Sequence, residues 1–490
     1  MTISVKLRKM LHRKSAEFCT PSPVATSTGA FILGDKTTLN PKHDGVALVA
    51  GPSAIWNYNA DEDSWMQLPN SGIGGTFSAG VCGCLHPRGM LGSASTVAPS
   101  DVGTTSSFTL LVSLARNLAG VKILVTDGTN AGYEGTIVSN TVGPSTNTVD
   151  VSPAAPLAFD TTSSLQILSG SLWFITAGTS GFMVYDRATN NWTTKTTTGM
   201  PATLGTDAVL LATPAASSNG GEGFVTGTST GSNTSTKLYD TTKHWANANW
   251  ANFRVRIVGG TGAGQVREIS SSGADVLNIG TAWSVTPDST STYVIEGNDD
   301  YLYLMGNNAV ALYRYKISTN SWSTLAPTVA RAGAPGAGSS ASWVDAVPDS
   351  TWSDGLYGGL SSGTIRKQLG RYIYSFRGGN TNILDVYDIA ANKWVNGLIY
   401  GGQMETFGAG SSAVAADGSV FVQKDATGRI YRFDIAGNYL EPFATNPVPQ
   451  GTAVVGAKMF IQKLKEGSTE LTYLYTLGNT RSELTRWLVI

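Results

Sequence analysis

Along the chain, short runs of alternating or continuous apolar residues are punctuated by clusters of Gly, Asn, Asp, Ser and Thr, which is the period and punctuation of β-strands joined by turns. Five of these runs share one pattern. An aromatic residue is followed seven positions later by a bulky one, in the pairs Tyr58 and Trp65, Tyr185 and Trp192, Tyr315 and Trp322, Tyr387 and Trp394, and Phe433 and Leu440. The position after the aromatic holds Asn59, Asp186, Lys316, Asp388 or Asp434, and the position two before the bulky residue holds Asp63, Asn190, Asn320, Asn392 or Asn438. Each unit predicts a hairpin, because Asx side chains bond their own backbone in turns and tolerate positive φ. An apolar strand precedes four of these hairpins, at Ser171–Gly178, Tyr301–Gly306, Arg371–Gly379 and Gly418–Asp425, and a Gly/Ser/Ala-rich strand upstream completes a unit of four.

The paired glycines Gly378-Gly379, the aromatic-Asp step and the Trp at this spacing resemble the kelch-type β-propeller, whose blades are four-stranded sheets. The resemblance covers roughly two thirds of the chain, and outside Gly378-Gly379 the glycine pair is reduced to a single Gly. A set of β-sandwich repeats sharing a hairpin is the competing architecture. The tail supplies three further strands, at Lys458–Leu464, Thr472–Gly478 and Glu483–Ile490, so six blades are expected, with Ala25–Leu33 supplying the missing strand of the last blade. Such closure removes free sheet edges.

Successive hairpin aromatics are 127, 130, 72 and 46 residues apart, so the first two intervals carry extra sequence. It is the same sequence twice. Leu118–Gly132 matches Trp250–Gly264 at an offset of 132, and Asp160–Ile167 matches Asp288–Ile295 at an offset of 128. The expected organisation is therefore a basic arm at 1–23, propeller at 24–92, 171–220 and 299–490, and two homologous small β insertion domains at 93–170 and 221–298. The fold class is all-β: a six-bladed kelch-like β-propeller with two small β insertions. A cassette with a Trp-containing strand, GTGAGQVR and a late DSTSTYVI is similar to modules of tailed-bacteriophage structural proteins. That similarity implies a virion component of the tail, at a nozzle, tail tip or baseplate, made in the host cytoplasm.

Composition narrows the partners. Lys+Arg 33 against Asp+Glu 34 leaves a net charge of -1, so no global field favours nucleic acid or an anionic membrane. No run of about 18 apolar residues spans a bilayer, so membrane insertion is not expected. The N-terminal segment lacks the apolar core of a secretion signal, and three cysteines, two of them at Cys82 and Cys84, suit reduced thiols. Lys6, Arg8, Lys9, Arg13 and Lys14 concentrate positive charge in the first 16 residues, read either as a docking peptide for an acidic neighbouring subunit or as a solvated tail.

Candidate chemistry is sparse. His12, His43, His86 and His244 fall in separate regions without zinc spacing, and no cofactor or metal site is expected. Gly260–Gly264 lacks the helix and Lys-Ser/Thr of a phosphate loop, and Cys82-Gly83-Cys84 reads as a small buried strand. Trp245, Trp250 and Trp283 cluster in the second insertion as candidate glycan contacts, although core packing of a small domain is the favoured use of such rings. The expectation is a non-enzymatic structural protein docking with other virion proteins and copies of itself. A host-glycan or receptor adhesin and a polysaccharide-cleaving enzyme are the alternatives.

Overall fold

A computed structural model describes residues 17–19, 32–33, 45–50, 54–59, 63–69, 73, 82–86, 98–130, 133–168, 170–176, 181–205, 207–213, 225–243, 250–306, 309–343, 372–409, 411–416, 419–424, 427–435, 437–445, 458–466, 469–477 and 484–489. These residues form β-strands and turns, with no α-helix among them.

The described residues form eight sheets. Six share one plan of four antiparallel strands. The first sheet runs Ile32–Leu33, Gly45–Ala50, Ala54–Asn59, Ser64–Gln67, and the second Cys82–His86, Ser171–Ile175, Phe182–Asp186, Asn191–Lys195. The third runs Val209–Ala212, Tyr301–Met305, Leu312–Lys316, Ser321–Thr324, and the fourth Ser340–Trp343, Tyr372–Phe376, Leu384–Asp388, Lys393–Val395. The fifth runs Ser412–Ala416, Ser419–Lys424, Arg429–Asp434, Tyr439–Thr445, with Gly401–Gly402 added in parallel at its far edge.

The sixth sheet is assembled from both ends of the described chain. Lys458–Glu466, Thr469–Leu477 and Leu484–Leu488 are joined by Glu17–Phe18, in the register Glu17 to Arg486 and Phe18 to Thr485. This corrects the expectation for Ala25–Leu33. Ile32–Leu33 instead pairs with Leu48 and Ala47 as the opening strand of the first sheet, and the closing strand comes from further upstream. Pairing the upstream segment leaves both the first and the sixth sheet with four strands.

The hairpin pattern in the sequence has a direct structural counterpart. Tyr58 lies opposite Trp65, Tyr185 opposite Trp192, Tyr315 opposite Trp322, Tyr387 opposite Trp394 and Phe433 opposite Leu440. In the four Tyr-Trp hairpins the rings sit 5.0 to 5.1 Å apart between centroids, tilted by 44 to 46°. Asp63, Asn190, Asn320, Asn392 and Asn438 all adopt left-handed backbone, with φ between 47 and 60°. In three hairpins the tyrosine hydroxyl donates to this residue, at 2.5 Å to Asp63, 2.6 Å to Asn320 and 2.7 Å to Asn392, and Tyr185 makes the same bond to Asn190. The residue that allows the turn thus also satisfies the buried phenol.

The sheets stack face to face. Apolar clusters join the first to the second (Ile55, Leu68 with Leu172, Tyr185), the second to the third (Trp173, Phe182 with Tyr315, Trp322), and the third to the fourth (Tyr303, Met305 with Trp343, Tyr387). Further clusters join the fourth to the fifth (Tyr374, Phe376 with Tyr431, Phe433), the fifth to the sixth (Phe421, Ile430 with Met459, Trp487), and the sixth back to the first (Tyr475, Phe460 with Tyr58). The opening strands of successive sheets approach within 8 Å Cα to Cα around this circuit, Ile32–Leu33 meeting both Lys458–Glu466 and Cys82–His86. The opening strand Ser412–Ala416 is built of Ser, Ala and Val, small residues suited to where the opening strands converge. Cys82 and Cys84 are buried in one opening strand, and burial pushes the Cys84 thiol well up.

Two smaller sheets are inserted between the opening and second strands of the second and third sheets. The first has the order Ser164–Ile167, Lys122–Asp127, Glu134–Asn140, Asn147–Ser152, Ser107–Leu110. The second has the order Val225–Thr228, Thr292–Glu296, Arg254–Gly259, Val266–Ser272, Val276–Ile279, Lys237–Tyr239. Apart from Val225–Thr228 the two orders coincide strand for strand, as the repeated sequence requires.

Candidate functional site

Each insertion is pinned by the same lock. In the first, Asp160 accepts from the hydroxyls of Thr129 at 2.7 Å and Thr162 at 2.6 Å and from the Thr162 amide at 2.9 Å, while the Ser163 hydroxyl donates to the Thr129 carbonyl at 2.8 Å. In the second, Asp288 accepts from Thr261 at 2.8 Å, from the Thr290 hydroxyl at 2.6 Å and from its amide at 2.8 Å, and Ser291 donates to the Thr261 carbonyl at 2.6 Å. The Thr hydroxyl bonds hold both carboxyls below the usual carboxylate range. Gly128 and Gly260, at φ +74° and +73°, make the approach possible: a Cβ would meet the Thr162 carbonyl oxygen at 1.8 Å and that of Thr290 at 2.1 Å. The Gly-Thr step is therefore one half of a structural clasp, with all its carboxylate oxygens engaged.

The insertions differ where they meet the larger sheets. In the second, buried Arg254 donates to Glu296 at 2.7 Å and to Asp299 at 2.6 Å, and Arg256 reaches Glu296 at 3.4 Å. Burial works to lower the Arg254 pKa, but Asp299 and Glu296 outweigh it and raise the value. The Asp299 carbonyl lies 2.6 Å from Nε2 of buried His86, on the opening strand of the second sheet. Glu268 accepts from Tyr301 at 2.6 Å and from Lys316 at 2.7 Å, and Arg314 donates to Asn252 at 2.6 Å. Apolar residues of the module, Phe253, Ile257 and Tyr293, belong to the same cluster as Tyr301, Tyr303 and Trp343 of the third and fourth sheets.

The first insertion has a thinner neck. Ala115 donates through its amide to the Ala188 carbonyl at 2.9 Å, and Arg116 Nη2 donates to the Tyr185 hydroxyl at 3.3 Å. Its apolar cluster of Phe108, Ile123, Val149 and Phe159 takes in Ala188 from the second sheet. Beside this neck lies a cleft of about 810 Å³ lined by Met66, Gln67, Leu68, Pro69, Ala115, Arg116, Asn117 and Asn190. Its floor is anchored where the Trp192 indole donates to the Pro69 carbonyl at 2.8 Å. None of its lining residues is acidic.

Of the candidate docking and glycan-contact residues, Trp250 and Trp283 lie among the described residues. Lys6, Arg8, Lys9, Arg13, Lys14 and Trp245 lie outside the described residues, as do His12, His43 and His244. Trp250 and Trp283 are 3% and 5% exposed within the module core, so neither ring offers a face to a sugar, and core packing is their role here. The guanidinium of Arg267 stacks 5.6 Å over Trp283. Sequence reading missed the Arg254 network and the Arg116 cleft. A signal existed in Arg254 and Arg256, which occupy strand positions held by Lys122 and Leu124 in the first copy. Arg116, beside the repeat at a position where the second copy has Ala248, carried no pattern.

Among the described residues no group of three His, Cys, Asp or Glu side chains gathers at metal-binding distance. No helix is long and apolar enough to cross a membrane. The chain matches no protein family by sequence and no curated protein. Among solved structures it is similar to the crystal structure of the Saccharomyces cerevisiae Sqt1, at 9% identity over 98% of this chain and 99% of that one, with a TM-score of 0.33.

Proposed function

We propose that the chain is a six-bladed kelch-like propeller carrying two inserted β modules, and that it works without catalysis as a structural component of a tailed-phage tail. Support for the propeller comes from the six four-stranded sheets, the circuit of apolar clusters that returns from the sixth sheet to the first, and the repeated Tyr-Asn-Trp hairpins. The hairpins also tie neighbouring sheets together. Asn392 donates to the Ala326 carbonyl at 2.9 Å, Asn438 to that of Ile399 at 2.8 Å, and the Trp322 indole to that of Thr196 at 3.0 Å.

A structural role is supported by how the buried charges are used. Arg331 and Arg377 converge on Asp385 at 2.8 and 2.7 Å, with the Gly397 amide adding a third donor at 2.9 Å. Arg254, Glu296 and Asp299 close on one another in the same way. Such groups are spent on one another and hold strands in register. The virion assignment rests on the likeness of the duplicated cassette to phage structural modules, and the basic arm at Lys6–Lys14 is its proposed docking element toward an acidic neighbouring subunit. The observation that carries the reading is the rigid circuit bearing a copied module twice. Mass spectrometry of gradient-purified phage particles tests it: the chain is expected in a fixed ratio to the major tail proteins, and its recovery only from the unassembled lysate fraction overturns the assignment.

A further inference from the structure

At Asn392 and Asn438 the side-chain amide donates to a carbonyl of the preceding connection. The cleft beside the first insertion is lined by Asn190, which like Asn320 of the third sheet accepts a tyrosine hydroxyl while its Nδ2 donates to no group among the described residues. Asn117 spends its oxygen on the Ala119 amide at 2.8 Å, and its Nδ2 is likewise unengaged. Arg116 is held by one nitrogen, at Tyr185, with Nε making no protein hydrogen bond. The lining therefore brings a guanidinium and two amide donors together with exposed Met66 and half-buried Pro69, while Leu68 is buried in the core.

We propose that this cleft binds an acidic saccharide, with Arg116 facing the carboxylate and Asn117 and Asn190 facing ring hydroxyls. The Arg116 Nε is buried, so a ligand meets the guanidinium at its Nη nitrogens, where Nη1 makes no hydrogen bond among the described residues and suits a carboxylate, and a cavity of about 810 Å³ falls within the range of small-ligand pockets. Met66 and Pro69 offer apolar surface for sugar C–H groups while neighbouring amides serve the hydroxyls. An acidic peptide is the poorer fit, because the adjacent edge strand Ser64–Gln67 has only four residues and is followed two positions on by Pro69, which leaves little ladder to extend. The inference stands apart from the virion assignment and survives its failure.

Calorimetric titration of the full chain with trigalacturonate, maltotriose and a glutamate-rich hexapeptide tests it. Trigalacturonate is expected to bind, with the neutral sugar weaker by about tenfold or more. Arg116→Gln is expected to weaken trigalacturonate by about tenfold or more. Asn190→Gly, which keeps the left-handed turn, is expected to weaken it by about threefold to tenfold. Circular dichroism and thermal melting of both variants separate lost binding from lost fold. Equal affinity for maltotriose, preference for the peptide, no trigalacturonate binding at millimolar concentration, or unchanged binding by a folded Arg116 variant overturns the proposal.

Discussion

Lys122, Leu124 and Leu168 in the first inserted module stand where the second has Arg254, Arg256 and Glu296. The two modules otherwise share strand order, the Asp-Thr-Ser clasp, and a left-handed residue at the same point, Gly120 at φ 90° in one and Asn252 at 68° in the other. In the second copy these substitutions build a buried ion network, and Tyr301, Arg314 and Lys316 of the third sheet bond to the module's Glu268 and Asn252. In the first copy the equivalent of Glu268 is Thr136, and the attachment runs through Ala115 and Arg116 beside an open cleft. Duplicated sequence thus preserves what folds a module, while the residues that weld it to its neighbour diverge. One copy becomes part of the core and the other keeps a wall free.

The sharpest way to break this comparison is Arg254→Ala, which leaves Glu296 and Asp299 buried without their main partner. A loss of about 3–5 kcal/mol in urea unfolding is expected, against less than about 1 kcal/mol for Lys122→Ala at the half-buried matching site. Comparable losses at the two positions would erase the distinction drawn here. Gly128→Ala and Gly260→Ala should instead behave alike, each destabilising by about 1–3 kcal/mol from backbone strain alone, with added cost from the carbonyl clash. A large effect in one copy and none in the other, read by thermal melting, would show that the clasp is not shared.

Smaller still, Thr129→Val and Thr261→Val each remove one hydroxyl donor to the clasp carboxylate and should cost about 1 kcal/mol apiece. Matched urea midpoints for the pair support equivalence. Acid should act on both modules in the same sense. Because Asp160 and Asp288 have folded pKa values below their ordinary ones, their stabilisation is fully present above the ordinary carboxylate range and is lost as pH falls through the depressed values. Hydrogen exchange of the amides of Thr162 and Thr290 between pH 5 and pH 2, corrected for intrinsic rates, should show protection fading together in both copies, from about pH 4 downward; protection that grows on acidification would contradict the clasp.

Much of the architecture was legible because it repeats. The Tyr-to-Trp spacing located the hairpins, in each of which the two marked residues lie opposite one another, and the Asx offset marked each left-handed position. The copied Gly-Thr and Asp-x-Thr-Ser segments located the modules, and their contact with one another explains why both segments stayed alike through duplication. What did not repeat was hidden. Glu17–Phe18 contributes two residues to a sheet whose other strands begin at Lys458, and a pairing so short carries no periodicity. For Trp250 and Trp283 the clustering of rings left both glycan contact and core packing open, with packing favoured, and their burial agrees with the packing reading. Arg116, a single cation outside the repeat, gave no spacing to read.

During synthesis Glu17–Phe18 leaves the ribosome before any of the sheets described above can exist, and its partner Leu484–Leu488 leaves only after all of their other strands. This β-pairing therefore joins segments more than 460 residues apart in sequence, a contact that chain entropy makes slow to find. Until that moment the sixth sheet offers Leu484–Leu488 as an open edge, and a second nascent copy can supply the same two residues. Exchange of that short segment between molecules is the characteristic error such a closure invites, and dilution during refolding is the remedy.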